Sequence, residues 1–305
     1  MSATSHRPDG GASKDGDRQT IALLHPGRMG TTLGAQLVAQ GHRVLWWSTG
    51  RSAATRERAE QAGFAEIRSP EALGEVSVAL SIAEPSAAAD IAQAVAASPF
   101  RGVYVDANAG RPDRIRETAA LLRRRGSTLV DGCVIGNPQP ADPGPRLYLA
   151  GPRSAVDLVT RAFGAGPVGV TTVSTEVGAA KALKSAYASH QKTAYVLALL
   201  SLVYAERHGV REALLDASRA APPTLPEVGA DVGRAASVVA RAWRWAPELV
   251  ETADELQESG VPGDLASAAG RILARWDAAK DQFDADWERV LTTVLHRSAA
   301  FCEKE

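Results

Sequence analysis

The residues best suited to chemistry fall in two places. The first is His25-Pro26-Gly27-Arg28-Met29-Gly30, followed by Thr31-Thr32-Leu33-Gly34, directly after the apolar run 21–25. It reads as the dinucleotide-binding fingerprint G-x-G-x-x-G with His25 in the place of the first glycine. Gly27 lets the backbone approach a pyrophosphate, and Gly30 lets a helix pack close on the strand before it. A helix starting near Arg28 would aim its free amides at phosphate oxygens. The second place is a lysine cluster. Lysine occurs only at positions 14, 181, 184, 192, 280 and 304, while arginine fills most other positive positions. Arginine does not lose its proton near neutral pH, whereas a buried lysine can. Lys181, Lys184 and Lys192 are therefore candidates for proton transfer, and a solvated helix face is the plainer reading for Lys181 and Lys192.

The end of the second apolar run would select the cofactor. An acid there bonds the ribose 2′-hydroxyl of NAD. Here the segment is Trp47-Ser48-Thr49-Gly50-Arg51-Ser52, with no acid until Glu57. Hydroxyls and a guanidinium accept a 2′-phosphate that a carboxylate would repel. Gly27, Arg28, Met29, Gly30, Ser48, Thr49, Arg51 and Ser52 are thus the expected cofactor contacts, and the expected cofactor is NADP(H).

These residues need elements to position them. From 20 to 174, apolar runs (21–25, 43–47, 76–83, 102–107, 127–132, 146–151 and 168–174) alternate with helical stretches that include 28–40, 53–62, 86–97 and 112–124. That alternation predicts an α/β domain, a mostly parallel sheet with helices on both faces. After 175 strand signals stop. Helices are predicted over 176–208, closed by Gly209, and then over 211–219, 230–258, 263–283 and 286–299. The expected organisation is a disordered tail over 1–18, a Rossmann domain over 19–175 and an all-α domain over 176–305 led by a long helix. Trp243, Trp245 and Trp276 are expected in core or subunit contacts. The Arg123-Arg124-Arg125 run suits a helix C-terminus better than a nucleic-acid site.

Composition sets the outer limits. The chain has 305 residues, 34 basic against 35 acidic side chains and a net charge of −1. That balance argues against a dedicated nucleic-acid or anionic-membrane binder. Cys133 and Cys302 stand far apart, which leaves no disulfide framework and no zinc-ligand spacing. No apolar stretch is long enough to cross a bilayer, and the first residues lack the apolar segment of a signal peptide. A cytoplasmic location is the expectation.

The chain resembles the β-hydroxyacid dehydrogenase superfamily, which includes 6-phosphogluconate and 3-hydroxyisobutyrate dehydrogenases. Pro26-Gly27-Arg28-Met29-Gly30 is similar to the family's G-x-G-x-M-G. Asp106-Ala107-Asn108-Ala109-Gly110-Arg111-Pro112 is similar to D-x-S-T-x-x-P, and Asp131 to Asn137 to D-A-P-V-S-G-G. Gly178 to Ala188 is similar to G-x-G-x-x-x-K-x-x-N-N. A bacterial subgroup with a phosphogluconate-dehydrogenase-like C-terminal domain is closer still, through 182–188, 146–152 and the Trp243 to Trp276 region.

The resemblance implies that Lys184 is the catalytic lysine; a shift of one helical turn would give the role to Lys181. It implies that Asn108 lies by the nicotinamide ribose or the substrate, and that Gly136 and Asn137 border the substrate. The family's paired asparagines are Tyr187 and Ala188 here, so Tyr187 and Gln191 are the expected substitute contacts. Ile135 replaces a serine and makes that wall apolar. The activity implied is hydride transfer between NADP(H) and a small hydroxy or keto substrate, in a homodimer joined through the helical domain. Two other readings stand beside it. One is an imine reductase, a group that shares the fold but generally lacks the lysine. The other is a catalytically silent NADP-binding protein.

Overall fold

The computed structural model describes residues 18–138, 144–219, 232–258, 260, 262–284, 286, 288 and 292. The expected tail falls almost entirely outside them, as does most of the helix expected over 286–299.

The chain divides into two compact units, the first ending at Ala182 and the second beginning at Leu183. In the first, eight strands form one sheet: β1 (Thr20–Leu23), β2 (Arg43–Trp47), β3 (Ala65–Ile67), β4 (Val78–Ser81), β5 (Val103–Asp106), β6 (Thr128–Ile135), β7 (Arg146–Ala150) and β8 (Gly169–Ser174). Their order is β3-β2-β1-β4-β5-β6-β7-β8. β1 to β6 run parallel, β7 turns antiparallel to β6, and β8 follows β7. The order reverses between β1 and β4, which is where open sheets of this type bind ligands.

Successive residues of β1 face opposite sides, so both faces are buried and the strand reads as an unbroken apolar run. Ile21 and Leu23 pack with Leu33 and Leu37 of α1 (Arg28–Ala39) and Val156, Val159 and Phe163 of α5 (Arg153–Phe163). Ala22 and Leu24 pack on the other side with Ile91 and Val95 of α3 (Ala88–Ala97) and Ile115 and Leu122 of α4 (Pro112–Arg124). The helix α2 (Ala53–Gln61) is held at its start by Ser52, whose hydroxyl accepts from the Thr55 amide at 3.3 Å. β3 and α5 are additions to the elements expected from sequence.

The helix α6 (Ala179–Arg207) begins in the first unit and continues in the second. Its opening turn is fastened by Asp131 of β6, whose Oδ2 accepts from the amides of Gly178 at 2.8 Å and Ala180 at 2.9 Å. A carboxylate there satisfies orphan amides and complements the helix dipole. The first unit accordingly runs on to Ala182.

In the second unit α7 (Arg211–Ser218), α8 (Val232–Ala240), α9 (Ala242–Glu258) and α10 (Asp264–Leu273) accompany α6. Gly209, φ +67°, stands just past the end of α6 as expected. The single helix expected over 230–258 is two, because the Ala240 carbonyl is taken by the Asp281 amide at 3.0 Å. Val196, Leu199 and Leu202 of α6 form the core with alanines of α8 to α10 and with the fully buried Trp276. No helix among the described residues is long and apolar enough to cross a membrane.

Candidate functional site

The turn between β1 and α1 is shaped for a phosphate. Gly27 is the residue before α1, its side makes no cap, and no acid stands in the first helical turn. The helix thus presents amides and positive dipole to whatever lies above it. Gly30 is obligatory: a Cβ there would stand 2.5 Å from the His25 carbonyl oxygen. Gly34 has a similar duty that the sequence reading did not assign, since its Cβ would meet Phe64 at 2.5 Å and Leu23 at 3.0 Å. Arg28 is exposed and Met29 half-buried at the start of α1.

Arg51 reaches back to this turn, with Nη2 donating to the Leu24 carbonyl at 3.3 Å. Arg58 of α2 does the same from one helical face further on, Nε donating to Pro26 O at 3.4 Å and Nη2 to Thr55 Oγ1 at 3.0 Å. Sequence reasoning passed over Arg58, which lies on α2 while Arg51 precedes that helix. Between them stands His25, held neutral to lower pH than usual by burial and then by Arg51 and Arg58.

The hydroxyls expected at the cofactor's ribose face neighbouring backbone. Ser48 donates to Ile67 O at 3.4 Å and Thr49 to Arg68 O at 2.8 Å, while Ser52 caps α2. The fold also brings an acid here that the local segment did not disclose. Glu66 of β3 lies by Ser48, and that hydroxyl, with Arg56 and Arg68, holds its carboxyl down at about 2. Arg56 lies 2.5 Å and Arg68 3.3 Å from it, so its charge is balanced.

The carboxyl ends of β5 and β6 hold a buried polar network. Lys181, 2% exposed, donates from Nζ to Asp106 O at 2.8 Å, Asp106 Oδ1 at 3.0 Å and Gly132 O at 2.9 Å. Asp131 Oδ1 lies 3.4 Å away. Burial pushes the Asp131 carboxyl up, against the pull of Lys181 and the amides of Gly178, Lys181 and Ala180. Lys181 is therefore no solvated residue. It is a tie between strand ends, with its three donors used.

Asn108, expected beside the cofactor, is 2% exposed. Its amide nitrogen donates to Ser81 Oγ and Asp106 Oδ1, both at 3.0 Å, and its oxygen accepts from the Ala83 amide at 2.6 Å and from Ser81 Oγ at 3.4 Å. All four hydrogen-bonding places are filled. Its side chain acts on the site by fixing the β4 and β5 ends.

Gly136 and Asn137 are exposed beyond β6. Gly136 has φ +122°, and a Cβ would stand 2.9 Å from Pro145 Cα, so only glycine fits. Thr32 of α1 donates to the Pro138 carbonyl, which draws this loop to the helix that carries the glycine turn.

The second unit holds the remaining candidates, all on α6. Lys184 is half-buried. Tyr187 and Gln191 are joined, the amide nitrogen of Gln191 donating to the phenol oxygen at 2.7 Å. Lys192, read as a solvated residue in the simplest account, is 6% exposed and paired with Glu248. Its Nζ lies 5.5 Å from the Trp245 ring centroid, and Trp245 stacks on Tyr195 at 6.3 Å. Burial lowers the Lys192 ammonium to about 8, against Glu248. No group of three or more potential metal ligands occurs among the described residues.

Comparison with known proteins agrees with the fold. Residues 20–175 match the NAD binding domain of 6-phosphogluconate dehydrogenase, and residues 205–276 match a domain of unknown function, DUF1932. The search of curated proteins found no match. Among solved structures, the conserved protein MTH1747, described as structurally similar to 3-hydroxyacid dehydrogenases, is 26% identical with a TM-score of 0.67, over 87% of this chain and 100% of that one. The 3-hydroxyisobutyrate dehydrogenase of Mycobacterium tuberculosis shares the fold at 22% identity and a TM-score of 0.73, over 91% and 99%. An imine reductase from Myxococcus stipitatus shares it at 18% and 0.58, over 91% and 99%. The chain belongs to the family defined by the NAD binding domain of 6-phosphogluconate dehydrogenase, within the β-hydroxyacid dehydrogenase superfamily.

Proposed function

We propose that the protein is an NADP(H)-dependent oxidoreductase that transfers hydride between nicotinamide and a small hydroxy or keto substrate, with Lys184 as general acid and base. The observation that carries the reading is the uncapped start of α1 in a glycine turn to which Arg51 and Arg58 both return. Gly27 would admit the pyrophosphate, Gly30 lets α1 pack close enough for the amides of Arg28 and Met29 to face it, and Arg51 and Arg58 would supply charge for a 2′-phosphate. Ser48, Thr49 and Ser52 would border the ribose as turn residues, with their hydroxyls held by Ile67 O, Arg68 O and the Thr55 amide. The bound nicotinamide would supply or take the hydride.

The chain's own task is then to move one proton at the substrate oxygen. In reduction the Lys184 ammonium gives it, and in oxidation the amine receives it. Lys181 is unsuited to this because its three donors are committed to strand-end oxygens. Tyr187 and Gln191, already bonded to each other, would hold the substrate from α6; Gly136 and Asn137 are the substrate neighbours proposed in the first unit. Association of two copies through the helical unit belongs to the same proposal; mass measurement in solution tests it.

Reduction of C=N is the second reading, favoured by the apolar Ile135 where the family has serine. NADPH consumption against parallel carbonyl and imine panels decides. Turnover of carbonyls supports the principal reading and turnover of imines alone supports the second. Tight NADPH binding without turnover on either panel overturns both in favour of a silent binding protein.

A further inference from the structure

His25 stands where the dinucleotide fingerprint has its first glycine, and its ring lies along the turn. A Cβ on Gly27 would be 3.4 Å from Cδ2 and 3.6 Å from Nε2. Nδ1 is buried with no hydrogen-bond partner among the described residues, and so is Nε of Arg51. Arg51 grips the carbonyl before His25 and Arg58 the carbonyl after it. Native structures rarely leave buried polar atoms unpaired, and an arginine donor and an imidazole nitrogen left so in one cationic cluster beside a glycine turn point to an anion as the partner.

The charged groups acting on the ring are Arg51, from the segment after β2, and Arg58, from α2, and both are positive. Burial and these two charges disfavour the imidazolium. A phosphate dianion between the guanidiniums would reverse that field and favour the imidazolium.

We propose that the 2′-phosphate of the cofactor is received by Arg51, Arg58 and His25 together, and that His25 takes up one proton from solvent on binding. This rests on the NADP(H) reading and deepens it. The third positive charge is assembled only when the phosphate arrives, so the site distinguishes NADP(H) from NAD(H) partly through a proton. NADPH affinity should therefore rise as pH falls toward 6, relative to a chain without the imidazole.

Calorimetric titration of the full chain with NADPH and with NADH, at pH 7 in buffers of low and high ionisation enthalpy, tests this. The phosphate has its own proton equilibrium near pH 6, so wild type is compared with His25→Gly and His25→Gln. Wild type is expected to show proton uptake with NADPH relative to both variants and none with NADH. NADPH affinity should fall about tenfold in the variants. Without any variant, the His25 ring resonances should titrate at higher pH once NADPH is added and be unmoved by NADH. A preference for NADPH with the same proton balance in all three proteins, or an unmoved His25 titration, overturns the proposal alone. Equal affinity for NADPH and NADH overturns the NADP(H) reading with it.

Discussion

Lys181 Nζ lies 3.0 Å from Asp106 Oδ1, inside a site where both side chains are almost wholly out of water. One helical turn along α6, Lys184 is only half-buried. Two lysines that look alike in sequence thus have different physical lives. The first balances the charge of Asp106 and Asp131 and joins β5, β6 and the start of α6. The second is the one to which the proposed function gives proton exchange with a substrate.

Removing the first should be a stability lesion. Lys181→Met would leave two buried carboxylates without their cation, at a cost of about 3–5 kcal/mol. Thermal or urea unfolding of the first unit would register it. Lys181→Arg should not rescue, because a planar guanidinium fork does not reproduce donors spread over Asp106 and the Gly132 carbonyl. Unchanged stability in Lys181→Met would contradict the tie.

Arg51→Ala and Arg58→Ala should each weaken NADPH binding by about tenfold while NADH binding stays within about twofold. Fluorescence titration of the reduced cofactors separates the two. Equal losses for both cofactors would assign the arginines to the turn's architecture alone.

How far the site could be read from the chain depends on distance along it. The parallel sheet, β2 and α4 were legible because apolar runs and helical stretches are local. β3 was not, since Ala65-Glu66-Ile67 is only three residues long, too short for its alternation to stand out. Arg51 was visible in its segment, whereas Arg58 gained meaning only when α2 turned it back to Pro26. The burial of Lys181 is set by Asp106, 75 residues away in sequence, and Asp131. No local pattern announces that. The break at Ala240 is similarly imposed by Asp281.

Lys192 should give a pH signature. Its folded-state value of about 8 lies below the ordinary 10.5. Between those values the unfolded chain holds more protons than the folded one, so stability rises with pH across that window. Unfolding of wild type against Lys192→Met, followed from pH 7.5 to 10.5, should show a gain of order 3 kcal/mol that the variant lacks. Parallel curves would contradict it.

Gln191→Ala breaks the bond to the Tyr187 phenol and should raise KM about tenfold on a turned-over substrate. The melting temperature should change little. Unaltered KM and kcat would remove Gln191 from substrate binding.

The most direct measurement is the rate of NADPH-dependent turnover in wild type and Lys184→Met, alongside NADPH affinity for each. The account predicts a fall in kcat of about 10²–10⁴ with affinity and melting temperature preserved. Equal turnover by the two proteins would contradict the role of Lys184.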